Sequence, residues 1–297
     1  MFLTVFTPTY NRAHTLSRLY DSLCRQTCSD FEWLVIDDGS TDDTERLVKS
    51  FINRNEIQVR YIKKENGGLH TAYNTAIASI ESLLNVCVDS DDWMPADAVE
   101  LIARKWKQEG DEKYAGIIGL DFYAGTDNPV GGYFPSTLSE CYFLDLSVRN
   151  IHRGDSKLVV RTELLKSVVP MTGFPGEKYF NPVYLYLQVC DRMPLLVLNS
   201  NLCFVDYNHG DNMSGNIYKQ YVESPRSFAK LRLLEMGLQR STFLNRLRVA
   251  LHYDAKCLLA RTYGAIVKNP YPWLTVMMLL PGYVMYLYIL SKYRREE

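Results

Sequence analysis

Val86-Cys87-Val88-Asp89-Ser90-Asp91-Asp92-Trp93 is the stretch whose reading decides the fold. The apolar, β-branched run over 83–88 reads as a buried strand. It ends in three carboxylates within four residues, followed by Trp93, Met94 and Pro95, where a helix can begin. Carboxylates at the carboxyl end of a strand in an open α/β sheet sit where such sheets bind ligands. Three of them repel one another unless a cation or hydrogen-bond donors balance them. A divalent cation carrying a nucleotide diphosphate is the simplest balance, because hard cations take oxygen ligands and bridge phosphates. The alternative is a solvated acidic turn.

The flanking sequence repeats the pattern of a strand followed by a helix. Residues 2–6, 31–36, 57–62, 83–88 and 114–120 read as strands. Helical spacing appears at Leu16, Leu19, Tyr20 and Leu23, at Ala72, Ala76, Ile77 and Ile80, and over 96–108. The alternation predicts a mostly parallel sheet with helices on both faces. Gly39 allows the turn after the second strand, and Gly67-Gly68 opens the third helix. Between 121 and 147 helix signals are few. A short strand is expected over 157–160, a helix near Leu164, a loop at 173–177, a helix over 182–191, and one or two strands over 195–207.

At 297 residues the chain can hold one large domain and an accessory part. Hydrophobic residues make up 47% and charged residues 23%, as in an ordered globular protein. The net charge of −1 supplies no overall basic field for nucleic acid. Residues 222–297, however, carry 12 Lys+Arg against 5 Asp+Glu, or +7, which leaves −8 for the rest. The seven cysteines are dispersed without a CxxC pair, a pattern of reduced cytosolic thiols rather than a zinc site. No signal peptide is read at the N-terminus.

Four motifs occur in a fixed order: Thr7-Pro8-Thr9-Tyr10-Asn11-Arg12, Asp37-Asp38-Gly39-Ser40-Thr41-Asp42, Asn66-Gly67-Gly68 with Ala72 and Asn74, and Asp89-Ser90-Asp91-Asp92. Each falls at an expected strand end or helix start. Together they resemble the family 2 glycosyltransferases over about the first 115 residues. The resemblance implies a GT-A fold, a nucleotide-sugar donor, Mn²⁺ or Mg²⁺, and inversion at the sugar carbon. It implies that Asp38 accepts a hydrogen bond from the nucleobase, while Asp37 either does the same or caps its turn. Thr7, Pro8 and Tyr10 would wall the base pocket, with Tyr10 as the alternative core residue. Asn66 and Gly67 join the donor site, and Asp89 lies near the ribose. Asp91 is the expected metal ligand, with Asp89 beside it, and Asp92 adjoins the acceptor side or braces the loop.

Inverting transfer also needs a base for the acceptor hydroxyl proton. Gly176-Glu177-Lys178 resembles a segment that one subgroup of the family follows with an apolar residue and Pro-Glu. Here Val183 follows Pro182, so the second carboxylate is missing. Glu177 is the first candidate and Asp155 its competitor. His209, in a loop of the kind that closes over the diphosphate, is a candidate metal or phosphate ligand. His70, near a helix start, is read as a partly buried polar contact.

These readings give a catalytic domain over 1–217, divided into a nucleotide-sugar half (1–115) and an acceptor half (116–217). A helical basic tail follows over 218–297. Within the tail, Pro225 interrupts a first helix, Ser241 caps a second, and Leu244, Leu247, Leu251 and Leu258 form the apolar stripe of that second helix. Residues 273–290 are uncharged, close to the lower length limit for a spanning helix, and Pro281-Gly282 is expected to break them. Lys268 flanks one side, and Lys292, Arg294 and Arg295 the other. The expected attachment is therefore peripheral, on an anionic cytosolic membrane face. The expected acceptor is a glycan or a lipid-linked saccharide, and the oligomeric state is left open. Two rival readings are a nucleotidyltransferase, which would want a Gly-rich basic loop after the first strand, and a non-catalytic sugar-nucleotide-binding or scaffold protein.

Overall fold

The computed structural model describes residues 1–206 and 217–296, and His209 lies outside them. The chain divides into two compact units. The first comprises Met1–Gly67, Thr71–Met171 and Val189–Asn208; the second comprises Gly68–His70, Thr172–Gln188 and His209–Glu297.

The first unit is built on a sheet of eight strands: β1 (Leu3–Thr9), β2 (Phe31–Asp37), β3 (Val59–Lys63), β4 (Leu84–Cys87), β5 (Gly116–Tyr123), β6 (Glu140–Cys141), β7 (Ser156–Arg161) and β8 (Leu195–Val205). Their spatial order is β3-β2-β1-β4-β7-β5-β8-β6. β1 pairs in parallel with both β2 and β4, and β5 with β8. β7 inserts antiparallel between β4 and β5, so the parallel run expected from the alternation is interrupted there. Residues 195–205 form a single strand with register shifts against β5, rather than two strands.

Helices cover both faces. On one, Leu3, Val5, Val35, Leu84 and Val86 pack with residues of α1 (Leu16–Cys24), α2 (Thr44–Arg54) and α4 (Ala98–Glu109). Trp33 is fully buried there, and its indole N–H donates to Thr7 Oγ1 at 2.9 Å. On the other face, Phe6 meets Tyr73 of α3 (Leu69–Ser79) edge-on. α5 (Phe143–Val148) and α6 (Thr162–Lys166) complete the elements of this unit.

β1 extends three residues beyond its expected end, through Pro8. Proline has no N–H to give a ladder. Thr9 O accepts from Asp38 N on the β2 side, whereas Phe6 O accepts from Val88 N on the β4 side. By strand alternation Pro8 therefore faces β4, whose pairing with β1 has ended at Cys87. The missing donor falls where no partner strand asks for one.

The second unit holds most of α7 (Val183–Cys190), and α8 (Ile217–Glu223), α9 (Pro225–Gly237), α10 (Phe243–Leu259), α11 (Gly264–Val267) and α12 (Pro272–Glu296). Gly68 precedes α3 at φ +90°, where a side chain would stand 2.0 Å from the Lys178 carbonyl oxygen. α10 packs on α9 and α12 around Val249, Ala250, Tyr253, Cys257 and Leu274. The stripe expected from sequence is not the buried one: Leu244 is 76% exposed, and Leu247, Leu251 and Leu258 are only half-buried. The helix answers to two neighbours, which moves its buried face. Its N-cap is Thr242, whose side chain accepts from Asn245 N, one residue after the expected Ser241.

α12 is continuous through Pro281, contrary to the expected break. Pro281 lies on the exposed side, where water can solvate the carbonyl left without a donor. Gly282 lies on the packed side, and a Cβ there would stand 2.6 Å from Asp254 Cβ. A glycine at that position lets α12 approach α10 closely.

Candidate active site

The strand order reverses between β1 and β4: β1, β2 and β3 run outward in one direction, and β4 starts on the other side of β1. Open α/β sheets bind ligands at the carboxyl ends of strands beside such a switch point. The 7–12 segment ends β1 and the 89–93 segment follows β4, so the structure brings these two motifs to that point. Thr7 Oγ1 donates to Val88 O at 2.8 Å and accepts from Trp33, so its hydroxyl is committed to holding the strands together. Pro8 is buried, whereas Tyr10 is 48% exposed and is not a core residue. Thr9 Oγ1 is buried at the end of β1 without a hydrogen-bond partner among the described residues.

Neighbouring loops fix one another. Asn11 Oδ1 accepts from Thr41 N at 2.8 Å, and Asn11 N donates to Ser40 Oγ. Asp37 holds its own turn: Oδ1 accepts from Ser40 N at 2.7 Å and Oδ2 from Tyr61 OH at 2.5 Å. Asp38 is the hub of the second motif. Its Oδ1 is 2.5 Å from Lys64 Nζ and accepts from Gly67 N at 3.1 Å, while Asn66 Nδ2 donates to its carbonyl. Asp38, Asn66 and Gly67 thus form one connected group.

Asp89, Asp91 and Asp92 turn off β4, with Asp92 N donating to Asp89 O. Asp89 is exposed, Asp91 half-buried and Asp92 buried. Beneath them lies Lys157 of β7, 3.8 Å from Asp92 and 3.6 Å from Asp121 of β5. Burial opposes the Lys157 charge, but Asp121, Asp92 and Asp89 hold its ammonium well above the usual lysine range. Burial also pushes the carboxyls up, Asp92 to about 8 and Asp121 to about 6, against the pull of Lys157. Asp155 is exposed, and its charge is felt at both Asp89 and Asp121.

Arg18 of α1 anchors this turn. Its guanidinium donates to the Asp91 carbonyl, pairs with Asp206 at 3.5 Å and lies 4.0 Å from the Trp93 ring centroid. Trp93 also stacks on Phe204. Neither Arg18 nor Lys157 was singled out in the sequence. The only signal was indirect, because three adjacent carboxylates require positive charge from somewhere.

Glu177 belongs to the second unit, where its carboxylate accepts from Arg226 N, Ser227 N and Ser227 Oγ at 2.7–3.0 Å. It fills the N-terminus of α9, whose own N-cap Ser224 makes no side-chain cap bond. His70 is buried against Phe180 and the backbone of Gly173. Among the described residues no three His, Cys, Asp or Glu side chains form a ready metal cage. Asp89 and Asp91 are nonetheless a hard oxygen pair of the kind that binds Mg²⁺ or Mn²⁺ together with substrate phosphates.

Residues 4–145 match the model of glycosyl transferase family 2. They are a family 2 glycosyltransferase region. Glycosyltransferase GlyA of Streptococcus pneumoniae serotype 4 is 31% identical over 141 residues, which are 48% of this chain and 19% of GlyA. The chain thus spans under a fifth of that relative's length. The fold of the chain also resembles S. aureus TarS 1-349 solved in complex with UDP-GlcNAc, with a TM-score of 0.60 at 17% identity, covering 100% of this chain and 93% of that one. Mannosyltransferase PcManGT of Pyrobaculum calidifontis, solved with GDP-Man and Mn²⁺, gives 0.55 at 17% identity, covering 96% and 86%.

Proposed function

We propose that this protein is a glycosyltransferase that moves a sugar from a nucleoside diphosphate sugar to an acceptor hydroxyl, with inversion, in the assembly of a surface glycan or lipid-linked saccharide. The observation that carries this reading is that the 89–92 carboxylates lie at the β1/β4 switch point, on the same carboxyl edge of the sheet as the Asp38–Lys64–Gly67 group. TarS with UDP-GlcNAc and PcManGT with GDP-Man supply the donor class.

Asp38 and the backbone around Asn66 and Gly67 would receive the nucleoside, with Tyr10 free on the surface to lie against the base. Asp89 and Asp91 would hold Mg²⁺ or Mn²⁺, and that ion supplies charge neutralisation for the departing diphosphate. Lys157 keeps Asp92 in place beneath the turn. For the acceptor proton, Asp155 is the better-placed candidate: it is exposed and electrostatically linked to Asp89. Both oxygens of Glu177 are already engaged at α9. Attack of the acceptor oxygen on the anomeric carbon opposite the diphosphate breaks the carbon–oxygen bond to phosphate and inverts that carbon.

The test is incubation with a panel of nucleotide sugars, an acceptor preparation and Mn²⁺, with assay of released nucleoside diphosphate. Release with at least one donor is expected. Binding of donors without any release, across acceptors, would leave a binding protein and overturn the reading.

A further inference from the structure

The second unit presents an apolar face that is exposed among the described residues. On α12, Trp273, Val276, Met277, Leu280, Tyr283, Val284 and Leu287 are exposed, Leu280 at 75% and Val284 at 60%. Their spacing of three and four residues makes one continuous stripe, about 20 Å long at 1.5 Å per residue. It widens at one end, where the exposed Phe243 ring stacks on Trp273. A contiguous apolar surface of this size marks an interaction site.

The opposite side of the helix is fixed. Leu274, Thr275, Gly282 and Ile289 are buried, and Gly282 packs on α10 at Leu251 and Asp254. Thr275 Oγ1 donates to Ile266 O at 2.6 Å.

Charge identifies the occupant. Between Arg240 and Arg295 there are nine Lys or Arg and a single acid, Asp254, which is buried. Lys268 is exposed in the segment that leads into the stripe, and Arg294 and Arg295 are exposed beyond its other end. Amphipathic Trp and Tyr rings lie along it, and Lys292 Nζ sits over the Tyr288 ring. An apolar stripe bracketed by cations and indole or phenol rings matches the boundary of an anionic bilayer. A second copy of the chain would bring the same positive charge against itself.

By length and composition α12 is able to cross a membrane. Its packing argues otherwise, because α10, which lies against it, carries Asp254 at the contact with Gly282 and bears Arg246 and Arg248 elsewhere on the same helix. Drawing α12 through the bilayer would carry those charges into hydrocarbon.

We propose that α12 is a monotopic membrane-docking helix. It lies in the plane of an anionic lipid surface, with 273, 276, 277, 280, 284 and 287 in the acyl boundary and the basic ends on headgroups. With both ends basic, that surface is the cytosolic leaflet. The proposal stands independently of the sugar-transfer reading.

Flotation of the full chain with vesicles tests it. Phosphatidylcholine vesicles containing about a third phosphatidylglycerol should carry the protein up at low ionic strength, and pure phosphatidylcholine vesicles far less. Leu280→Glu with Val284→Glu should abolish flotation without lowering the melting temperature. Lys292→Gln, Arg294→Gln and Arg295→Gln together should weaken binding to the anionic vesicles about a hundredfold and leave the neutral ones unchanged. Failure of the parent to float, or flotation of the Leu280/Val284 variant like the parent, would overturn the proposal. So would a parent dimer in vesicle-free solution that the same variant dissociates, which would make a second copy the occupant. Resistance of the bound protein to alkaline carbonate extraction would overturn the interfacial placement in favour of a span.

Discussion

Lys157 and Asp121 face each other across adjacent antiparallel strands, Nζ to Oδ1 3.6 Å, and both side chains are buried. The same ammonium lies 3.8 Å from Asp92. One lysine therefore balances two carboxylates in the interior and supports the turn that carries Asp89 and Asp91. Buried ions are costly when a partner is removed, because the remaining charge stays desolvated. Lys157→Met should lose about 3–5 kcal/mol of stability in chemical denaturation. Adding Asp121→Asn to that variant should recover part of the loss. If the double variant is no more stable than Lys157→Met alone, the two groups are not energetically coupled.

The proposed donor and metal roles separate in a second pair of variants. Asp38→Asn removes the charge that Lys64 pairs with, so nucleoside diphosphate binding by calorimetry should weaken about tenfold or more, the scale of one charge-assisted hydrogen bond. Asp91→Asn should keep the fold, since among the described residues no hydrogen bond runs through its side chain, its carbonyl being the group that holds Arg18. Mn²⁺-dependent transfer should disappear in that variant. Full transfer by a folded Asp91→Asn protein would remove Asp91 from the metal site.

The two candidate bases part on different readouts. Glu177→Ala strips the α9 N-terminus of its acceptor and should cost about 1–2 kcal/mol, with the turnover of the folded fraction retained. Asp155→Asn should leave the melting temperature and nucleotide binding unchanged while transfer falls by about 10²- to 10⁴-fold. Should Glu177→Gln be inactive at full stability and Asp155→Asn active, the roles are the reverse.

What the sequence disclosed follows from where its signals are local. β1, β2 and β4 each announce themselves by an apolar run closed by Asp, Asn, Gly or Pro, and such residues end strands for reasons of local geometry. The Asp89–Asp92 turn was legible for that reason, whereas the bonds of Asp38 with Asn66 and Gly67 were not, because they join motifs 28 and 29 residues apart. β7 was found as a strand, but its antiparallel insertion between β4 and β5 depends on pairings far apart in sequence. Lys157 is one alternating residue of that strand, and only the pairing brings it under the carboxylates. Arg18 is similarly one polar position of an amphipathic helix until Asp91, Asp206 and Trp93 gather round it. Glu177 had a motif-like neighbourhood, yet its carboxylate serves a helix that begins about 50 residues later. In α12, Pro281 read as a break because its surroundings were unknown; tertiary packing on α10 and solvent on the other side accommodate it.

Asp254 gives a prediction in pH. Its two carboxyl oxygens are fully buried in α10 without hydrogen-bond partners among the described residues, and burial pushes the carboxyl up to about 7. A carboxyl whose folded value lies above its unfolded one of about 4 binds more protons in the folded state between those limits. Its contribution is therefore favourable at low pH and lost as pH rises from about 4 through 7. His252 works in the opposite sense over much of the same window: burial and nearby cations push it down to about 4, so stability rises as it deprotonates in the unfolded chain. The parent's own profile mixes the two, and the informative quantity is the difference between variant and parent at each pH. Asp254→Asn removes the ionisation and keeps the shape. It should match the parent near pH 4 and become progressively more stable than it towards pH 7, by up to about 1.4 kcal/mol for each pH unit crossed. The gain should level off above that. Denaturant unfolding at a series of pH values measures it, and a difference that stays flat from pH 4 to 8 would show that Asp254 ionises in the folded protein as it does in the unfolded chain.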